Sequence, residues 1–129
     1  IHKTYLALVY GKVNKSIKTM KDELEYFENN KKKIQKALSH LKVIKANEGY
    51  SYLELNPITG RKHQLRRQLL NIGSPIVGDD KYFLNNRKRI KIKNLLLHAY
   101  KIKFMINNVQ YNFKAKYNTI FKDFLMKNI

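Results

Sequence analysis

An alternating apolar pattern around Asn107-Asn108 is the feature that most constrains the fold of this chain. Apolar side chains occupy every second position on both sides of that pair: Tyr100, Ile102, Phe104 and Ile106 before it, then Val109, Tyr111, Phe113, Ala115 and Tyr117 after it. A period of two is typical of a β-strand with one apolar face. Asn-Asn suits a type I′ turn, because asparagine tolerates positive φ. The pattern therefore predicts an antiparallel hairpin.

Further strands and helices follow from the rest of the pattern. We expect a buried strand at 5–10, ended by Gly11, and a hairpin of 42–45 with 50–55 around the turn at 47–49. A helix capped by Thr59 should end at Gly73, and a closing helix over 120–129 should be capped by Thr119.

Residues 14–41 are harder to interpret. Good helix formers at 22–27 and 31–41 predict one or two amphipathic helices there. The predicted fold class is α+β, a mainly antiparallel sheet with two or three helices, in a single domain of 1–129.

The chain is strongly basic, with 27 Lys and Arg against nine Asp and Glu and a net charge of +18. Such a charge indicates a polyanionic partner, nucleic acid first and an anionic membrane surface second. Because all but five of these cations are lysines, a bias in codon usage is an alternative source of the charge. The chain has no cysteine, four scattered histidines, no long apolar run and no signal peptide. We expect a cytoplasmic protein without metal.

One short segment concentrates basic side chains at the start of a predicted helix. Five basic-capable residues fall within seven positions: Arg61, Lys62, His63, Arg66 and Arg67. Spacings of four place two pairs of them on adjacent rows beside Leu65 and Leu69. Such a helix can pack its leucines inward and offer guanidinium groups to a phosphate or a carboxylate, while Gln64 adds a neutral donor and acceptor. From spacing alone, a solvated basic helix is an equally good interpretation.

A resemblance to a known family favours a helix that binds a phosphate or a carboxylate. Thr59-Gly60-Arg61-Lys62-His63-Gln64-Leu65-Arg66 resembles the T-G-R-x-H-Q-[IL]-R signature of RluA-type RNA pseudouridine synthases. Three further matches stand in the same order: Lys3–Gly11 is similar to K-x-Y-x-A-x-V-x-G, Ile72–Asp79 to I-G-H-P-I-x-G-D, and Leu97–Ala99 to L-H-A. The matches extend over nearly the whole chain, apart from 14–41.

The resemblance implies an isomerase that converts uridine to pseudouridine in RNA, above all ribosomal RNA, without cofactor or metal. By position, Tyr5 would pack on the flipped base and Arg66 would pair with the catalytic aspartate, whose charged form a nearby cation favours. Without the resemblance, Tyr5 could equally be a core residue. Leu65 would help to wall the base pocket. The resemblance makes Arg61, Lys62, His63 and Arg67 RNA-contacting or structural, and we predict that these four residues and Gln64 bind RNA.

Some positions depart from the family pattern. Ser74 stands where the family often has His, and Arg67-Gln68 stand where it often has Val-His. The catalytic R-L-D motif is absent, and Asp79 is expected to be a structural turn residue. The resemblance thus implies a partial catalytic domain without its N-terminal half, leaving a sheet edge and apolar surface exposed. The sequence leaves the oligomeric state open, and we favour a monomer. A non-catalytic RNA-binding module is the alternative function, and a basic ribosome-associated protein of other ancestry is the third.

Overall fold

A computed structural model describes all 129 residues as one antiparallel sheet with two helices. In chain order the elements are β1 (His2–Tyr10), β2 (Thr19–Glu28), β3 (Lys31–Ala46), β4 (Tyr50–Pro57), α1 (Gln64–Asn71), β5 (Leu97–Ile106), β6 (Val109–Lys114) and α2 (Thr119–Asn128). The strand order is β2-β3-β4-β1-β5-β6. This confirms the predicted α+β class. Neither helix has the length and apolar composition needed to cross a bilayer.

The helices predicted within residues 14–41 are wrong, because this region forms the β2–β3 hairpin. The ladder runs in unbroken register from Thr19 opposite His40 to Glu28 opposite Lys31. Asn29 and Asn30 turn the chain at φ 53° and 62°, the positive values that a type I′ turn requires. Cross-strand pairing and packing of the inner face therefore override the helix propensity of the Lys, Glu and Leu residues.

The two hairpins predicted elsewhere are confirmed. Asn107 and Asn108 adopt φ 50° and 63° between β5 and β6. Between β3 and β4, the Asn47 side chain accepts hydrogen bonds from the backbone N–H groups of Gly49 and Tyr50. The buried strand predicted at 5–10 is β1, which lies between β4 and β5 and is buried from Leu6 to Tyr10.

Both helices begin differently from the prediction. α1 starts only at Gln64, with His63 as its N-cap residue, while the Thr59 hydroxyl accepts a hydrogen bond from Leu38 N–H instead. Gly73, at φ 84°, ends α1 as expected. α2 is capped by Asn118 rather than Thr119, because the Asn118 side chain accepts from Phe121 N–H at 2.8 Å.

The helices pack on opposite faces of the sheet. α2 places Phe121 against Tyr52 and Phe124 against Tyr50. α1 contacts the other face, where Gln68 hydrogen-bonds Ser39. Successive residues of a strand point to opposite faces, and directly paired residues share one. Tyr5 is paired with Leu55, and Leu55 with Leu41, two residues on from Ser39, so Tyr5 lies on the face that α1 covers.

Candidate active site

A large cavity lies on the α1 face, beside the start of β1. Its volume is about 580 Å³, and β1, the 57–63 loop, α1 and the segment before β5 enclose it. The lining residues are Ile1, Lys3, Tyr5, Pro57, Ile58, Thr59, Gly60, Arg61, His63, Gln64, Leu65, Arg66, Leu95 and Leu97. Five of the seven residues singled out from the sequence, and Leu65, thus line one cavity. None of the lining residues is acidic.

Arg66 is held in place by Asp79. Its Nε and Nη2 donate to the two carboxylate oxygens of Asp79 at 2.8 and 2.7 Å. The Arg66 side chain is 17% exposed and the Asp79 side chain is fully buried. A guanidinium has five N–H donors, so this pair leaves further donors on Arg66 for a ligand in the cavity.

The backbone places Asp79 through the segment that precedes it. This segment lies along β1: Tyr10 N–H donates to the Pro75 carbonyl at 3.0 Å, and Val77 N–H to the Leu8 carbonyl at 2.9 Å. Asp79 then accepts from the N–H groups of Lys81 and Tyr82 at 3.0 and 2.9 Å. Asp79 therefore caps its own turn, in agreement with the structural role expected of it.

The ionisation of the pair follows from these contacts. Burial raises the pKa of the Asp79 carboxyl, but hydrogen bonds from Arg66 and the turn amides outweigh burial and lower it overall. The hydrogen bond from Arg66 to Asp79 correspondingly raises the pKa of Arg66. Both groups are charged at neutral pH.

Tyr82 is a site residue that the sequence reasoning missed. Its hydroxyl lies 3.1 Å from His63 Nδ1, and its ring centroid lies 5.1 Å from Arg66 Cζ, a cation–π distance. In the sequence, Tyr82 could have been found as the aromatic residue three positions after Asp79, at the end of the turn that the Asp79 carboxylate caps. Tyr82 thereby links His63 to the ion pair.

His63 has an unusual backbone and a low pKa. Its φ of 52° and ψ of 32° are left-handed, a conformation uncommon for residues other than glycine. Burial lowers the pKa of His63, and the positive charges of Arg66, Lys81 and Lys62 lower it further. The imidazole is therefore neutral at pH 7 and offers the cavity a hydrogen-bonding group without charge.

Gln64 does not have the free amide that an RNA contact needs. Its Oε1 accepts from the Thr59 hydroxyl and Arg61 N–H, and its Nε2 donates to the Leu38 carbonyl and the Ser39 hydroxyl. It is 5% exposed, and these four bonds use its capacity. Gln64 was predicted to bind RNA; in the structure its side chain ties the 57–63 loop to β3.

The remaining basic residues take different places. Arg61 lines the cavity, and its Nε donates to the Lys36 carbonyl at 2.9 Å. Lys62 is exposed outside the cavity. Arg67 also lies outside and donates from Nη2 to the Glu25 carbonyl on β2 at 2.8 Å. Lys62 and Arg67 can therefore meet only a ligand that extends beyond the cavity.

The cavity can receive a planar group against Tyr5 and Leu65, with Arg66 supplying donors to an anionic atom. No group of three or more His, Asp or Glu side chains is arranged to hold a metal ion.

Comparison with known proteins adds an independent observation. A family model described as RNA pseudouridylate synthase matches residues 1–71, which include Tyr5 and the whole signature segment. The chain is 36% identical over 107 residues to ribosomal large subunit pseudouridine synthase C of Rickettsia conorii, covering 75% of this chain and 35% of that protein. It is 33% identical over 108 residues to ribosomal large subunit pseudouridine synthase D of Borreliella burgdorferi, covering 78% and 33%.

Solved structures agree on the fold. Human RNA pseudouridylate synthase domain containing 4 superposes with a TM-score of 0.77 at 23% identity, covering 97% of this chain and 61% of that one. Human RNA pseudouridylate synthase domain containing 1 gives 0.76 at 23% identity, covering 89% and 54%. The chain therefore spans about a third of the length of the curated relatives above and between half and two thirds of the solved chains.

Proposed function

Because the chain belongs to the RNA pseudouridylate synthase family, we propose that its cavity is the uridine-binding part of a site that isomerises uridine to pseudouridine in ribosomal RNA. The names of the two curated relatives support ribosomal RNA as the substrate. The proposed reaction breaks the C–N glycosidic bond of uridine and re-attaches the same uracil through carbon, so no atom is gained or lost.

The observation that carries this proposal is the convergence of Tyr5 and Arg66 on one cavity. They are 61 positions apart in the sequence and belong to two elements, β1 and α1. A flipped base needs a flat surface and a hydrogen-bonding wall. The Tyr5 ring supplies the former, while the free donors of Arg66 supply the latter and a counter-charge for an acid.

Asp79 is not a nucleophile for this reaction. Its side chain is fully buried, and hydrogen bonds from Arg66, Lys81 and Tyr82 occupy both carboxylate oxygens. Since the cavity lining has no acid either, covalent chemistry requires an aspartate from additional polypeptide. We expect Arg66 to orient that aspartate with the N–H groups that Asp79 leaves free.

The test is a pseudouridine assay on large-subunit ribosomal RNA. The chain would be assayed alone and together with a polypeptide that supplies the Arg-Leu-Asp motif. We expect product only in the combined sample, and its loss when Tyr5→Phe or Arg66→Lys is introduced. Met126→Leu, which changes a residue that is 73% exposed on α2, on the opposite face of the sheet, is the matched control. A combined sample that binds RNA but forms no pseudouridine would contradict the proposal.

A second candidate function is RNA binding without catalysis. It is favoured by the Arg66–Asp79 pair, which already satisfies the charge that a catalytic aspartate would otherwise meet, and by the net charge of +18. The chain alone should then bind a ribosomal stem-loop, with an affinity that falls steeply as salt rises because phosphate counterions are released. No binding at low salt would exclude this function.

A further inference from the structure

The β5–β6 hairpin carries a row of three nearly parallel aromatic rings on its surface. Phe104 is central, with the Tyr111 ring at a centroid distance of 5.2 Å and an interplanar angle of 14°. The Phe113 ring is at 5.9 Å and 19°. Phe113 is 57% exposed and Tyr111 39% exposed, although both are large apolar groups. We call Phe104, Tyr111 and Phe113 the aromatic row.

The aromatic row shares a sheet face with the cavity described above. Phe113 is paired with Ile102, and Ile102 with Lys3, so these three side chains form one line across three strands. Lys3 also lines the candidate active site. The aromatic row therefore lies next to the candidate active site, on the same face of the sheet.

A smaller cavity joins the two features. Its volume is about 230 Å³, and both Tyr5 and Phe113 line it, together with Lys3, Thr4, Ala99, Tyr100, Lys101, Ile102 and Ala115. This volume is below the range of cavities that hold drug-sized ligands and suits a single planar ring. Lys3 at its wall provides positive charge beside the aromatic surface, whereas the Lys101 ammonium lies on the other face of the sheet, 5.1 Å from the Tyr100 ring centroid.

Aromatic faces combined with lysines are the chemistry that recognises unpaired nucleotides. Bases stack on aromatic side chains, and cations neutralise the connecting phosphates. An apolar polypeptide would also cover the rings, but it would gain nothing from the positive charge of Lys3. The charge of the chain and the continuity with the site favour RNA.

We propose that the nucleotide next to the target uridine stacks its base on Phe113, in the cavity between Phe113 and Tyr5, with Lys3 neutralising its phosphate. This assignment rests on the proposed function, because it takes the larger cavity as the uridine site. Phe104, which also stacks on Tyr111, packs against the Phe113 ring and limits its rotation. The aromatic row thus extends recognition from one base to its neighbour.

The experiment compares two short fluorescein-labelled RNAs by anisotropy at low salt. In the first a uridine lies between two adenosines, and in the second abasic nucleotides replace both adenosines. The native chain should bind the first about tenfold more tightly, the effect of one base–aromatic stack. Phe113→Leu, which keeps an apolar side chain but removes the flat ring, should abolish that preference.

Phe27→Leu is the matched control, since Phe27 is 74% exposed on β2 at the opposite edge of the sheet. It should keep the full preference. Equal binding of both RNAs by the native chain, or a preference that survives Phe113→Leu, would overturn the stacking inference but not the proposed uridine site. An apolar polypeptide would then be the better candidate ligand of the aromatic row. If neither RNA binds the native chain, the uridine site fails as well. Thermal melts of each variant verify that it is folded.

Discussion

Arg66 and Asp79 form a two-point ion pair, with Nε and Nη2 of the guanidinium 2.8 and 2.7 Å from the two carboxylate oxygens. The backbone N–H groups of Lys81 and Tyr82 hold Asp79 in its turn, and Asp79 in turn fixes the Arg66 side chain at the wall of the cavity. Arg66 is thereby oriented before any ligand arrives, and a ligand does not have to meet the entropy cost of ordering it.

Asp79→Asn should destabilise the fold strongly. The substitution leaves a partly buried guanidinium without its counter-charge, a change that costs about 3 kcal/mol in the free energy of unfolding. Urea unfolding measures the difference. Asp80→Asn is the matched control: the Asp80 carboxylate is 97% exposed and 3.7 Å from Arg66, and its loss should change stability little. Equal effects of the two variants would contradict the structural role of Asp79.

The same carboxylate predicts how stability responds to acid. Its pKa is lowered in the folded state, so its contribution is fully present above the ordinary carboxyl value of about 3.9. That contribution should be lost as the pH falls below this value and through the lowered folded-state pKa. In acid titrations followed by circular dichroism, the difference in stability between the native chain and Asp79→Asn should therefore shrink below about pH 4. A difference that stays constant across this range would show that ionisation of Asp79 is not involved.

Gln68→Leu should be destabilising although it makes α1 more apolar. Gln68 is fully buried, accepts from the Ser39 hydroxyl at 2.7 Å and donates to the Met20 carbonyl at 3.0 Å. Leucine would leave these groups buried and unpaired, at a cost of about 2 kcal/mol. Gln110→Leu, at an exposed position on β6, should change the free energy of unfolding far less. A Gln68→Leu variant as stable as the native chain would show that water replaces the lost bonds.

Gly78→Ala should prevent correct folding of the segment that carries Asp79. A Cβ at Gly78 would lie 1.8 Å from the Asn94 carbonyl oxygen, and the backbone φ of 86° disfavours any side chain. Gly60→Ala is the matched control, because a Cβ there meets nothing within 4 Å. Proteolysis at equal protease concentration should cleave the first variant rapidly and leave the second as resistant as the native chain.

The sequence was sufficient for those parts of the fold that local chemistry determines. The alternation around Asn107-Asn108 predicted β5 and β6, and the spacing of Leu65 and Leu69 predicted the buried side of α1. The prediction for residues 14–41 was wrong because the helix propensity of single residues favoured helices there. The Asn29-Asn30 turn and the pairing of β3 with β2 and β4 stabilise strands instead. The repeat of the Asn-Asn pair was the signal available.

The sequence could suggest which residues belong to the candidate site, but not which residues they hydrogen-bond. Tyr5 and Arg66 were both expected at the site and both line the cavity. That Arg66 pairs with Asp79 depends on the path of residues 74–79 along β1, a long-range arrangement that no local pattern contains. The burial of Gln64 likewise depends on Leu38 and Ser39 of β3, which lie in the part of that strand for which the sequence predicted a helix.

The hydrogen bonds from Gln64 to Ser39 and from Ser39 to Gln68 distinguish one alignment of β3 from its near neighbours. Sliding this strand by two residues beneath α1 would keep every side chain on its own face and would exchange Ser39 for Ala37 or Leu41. Apolar packing alone discriminates poorly between such alignments. A shifted strand, however, would remove the Ser39 hydroxyl and leave the buried amides of Gln64 and Gln68 without this partner. The single serine at position 39 therefore favours one alignment over the others.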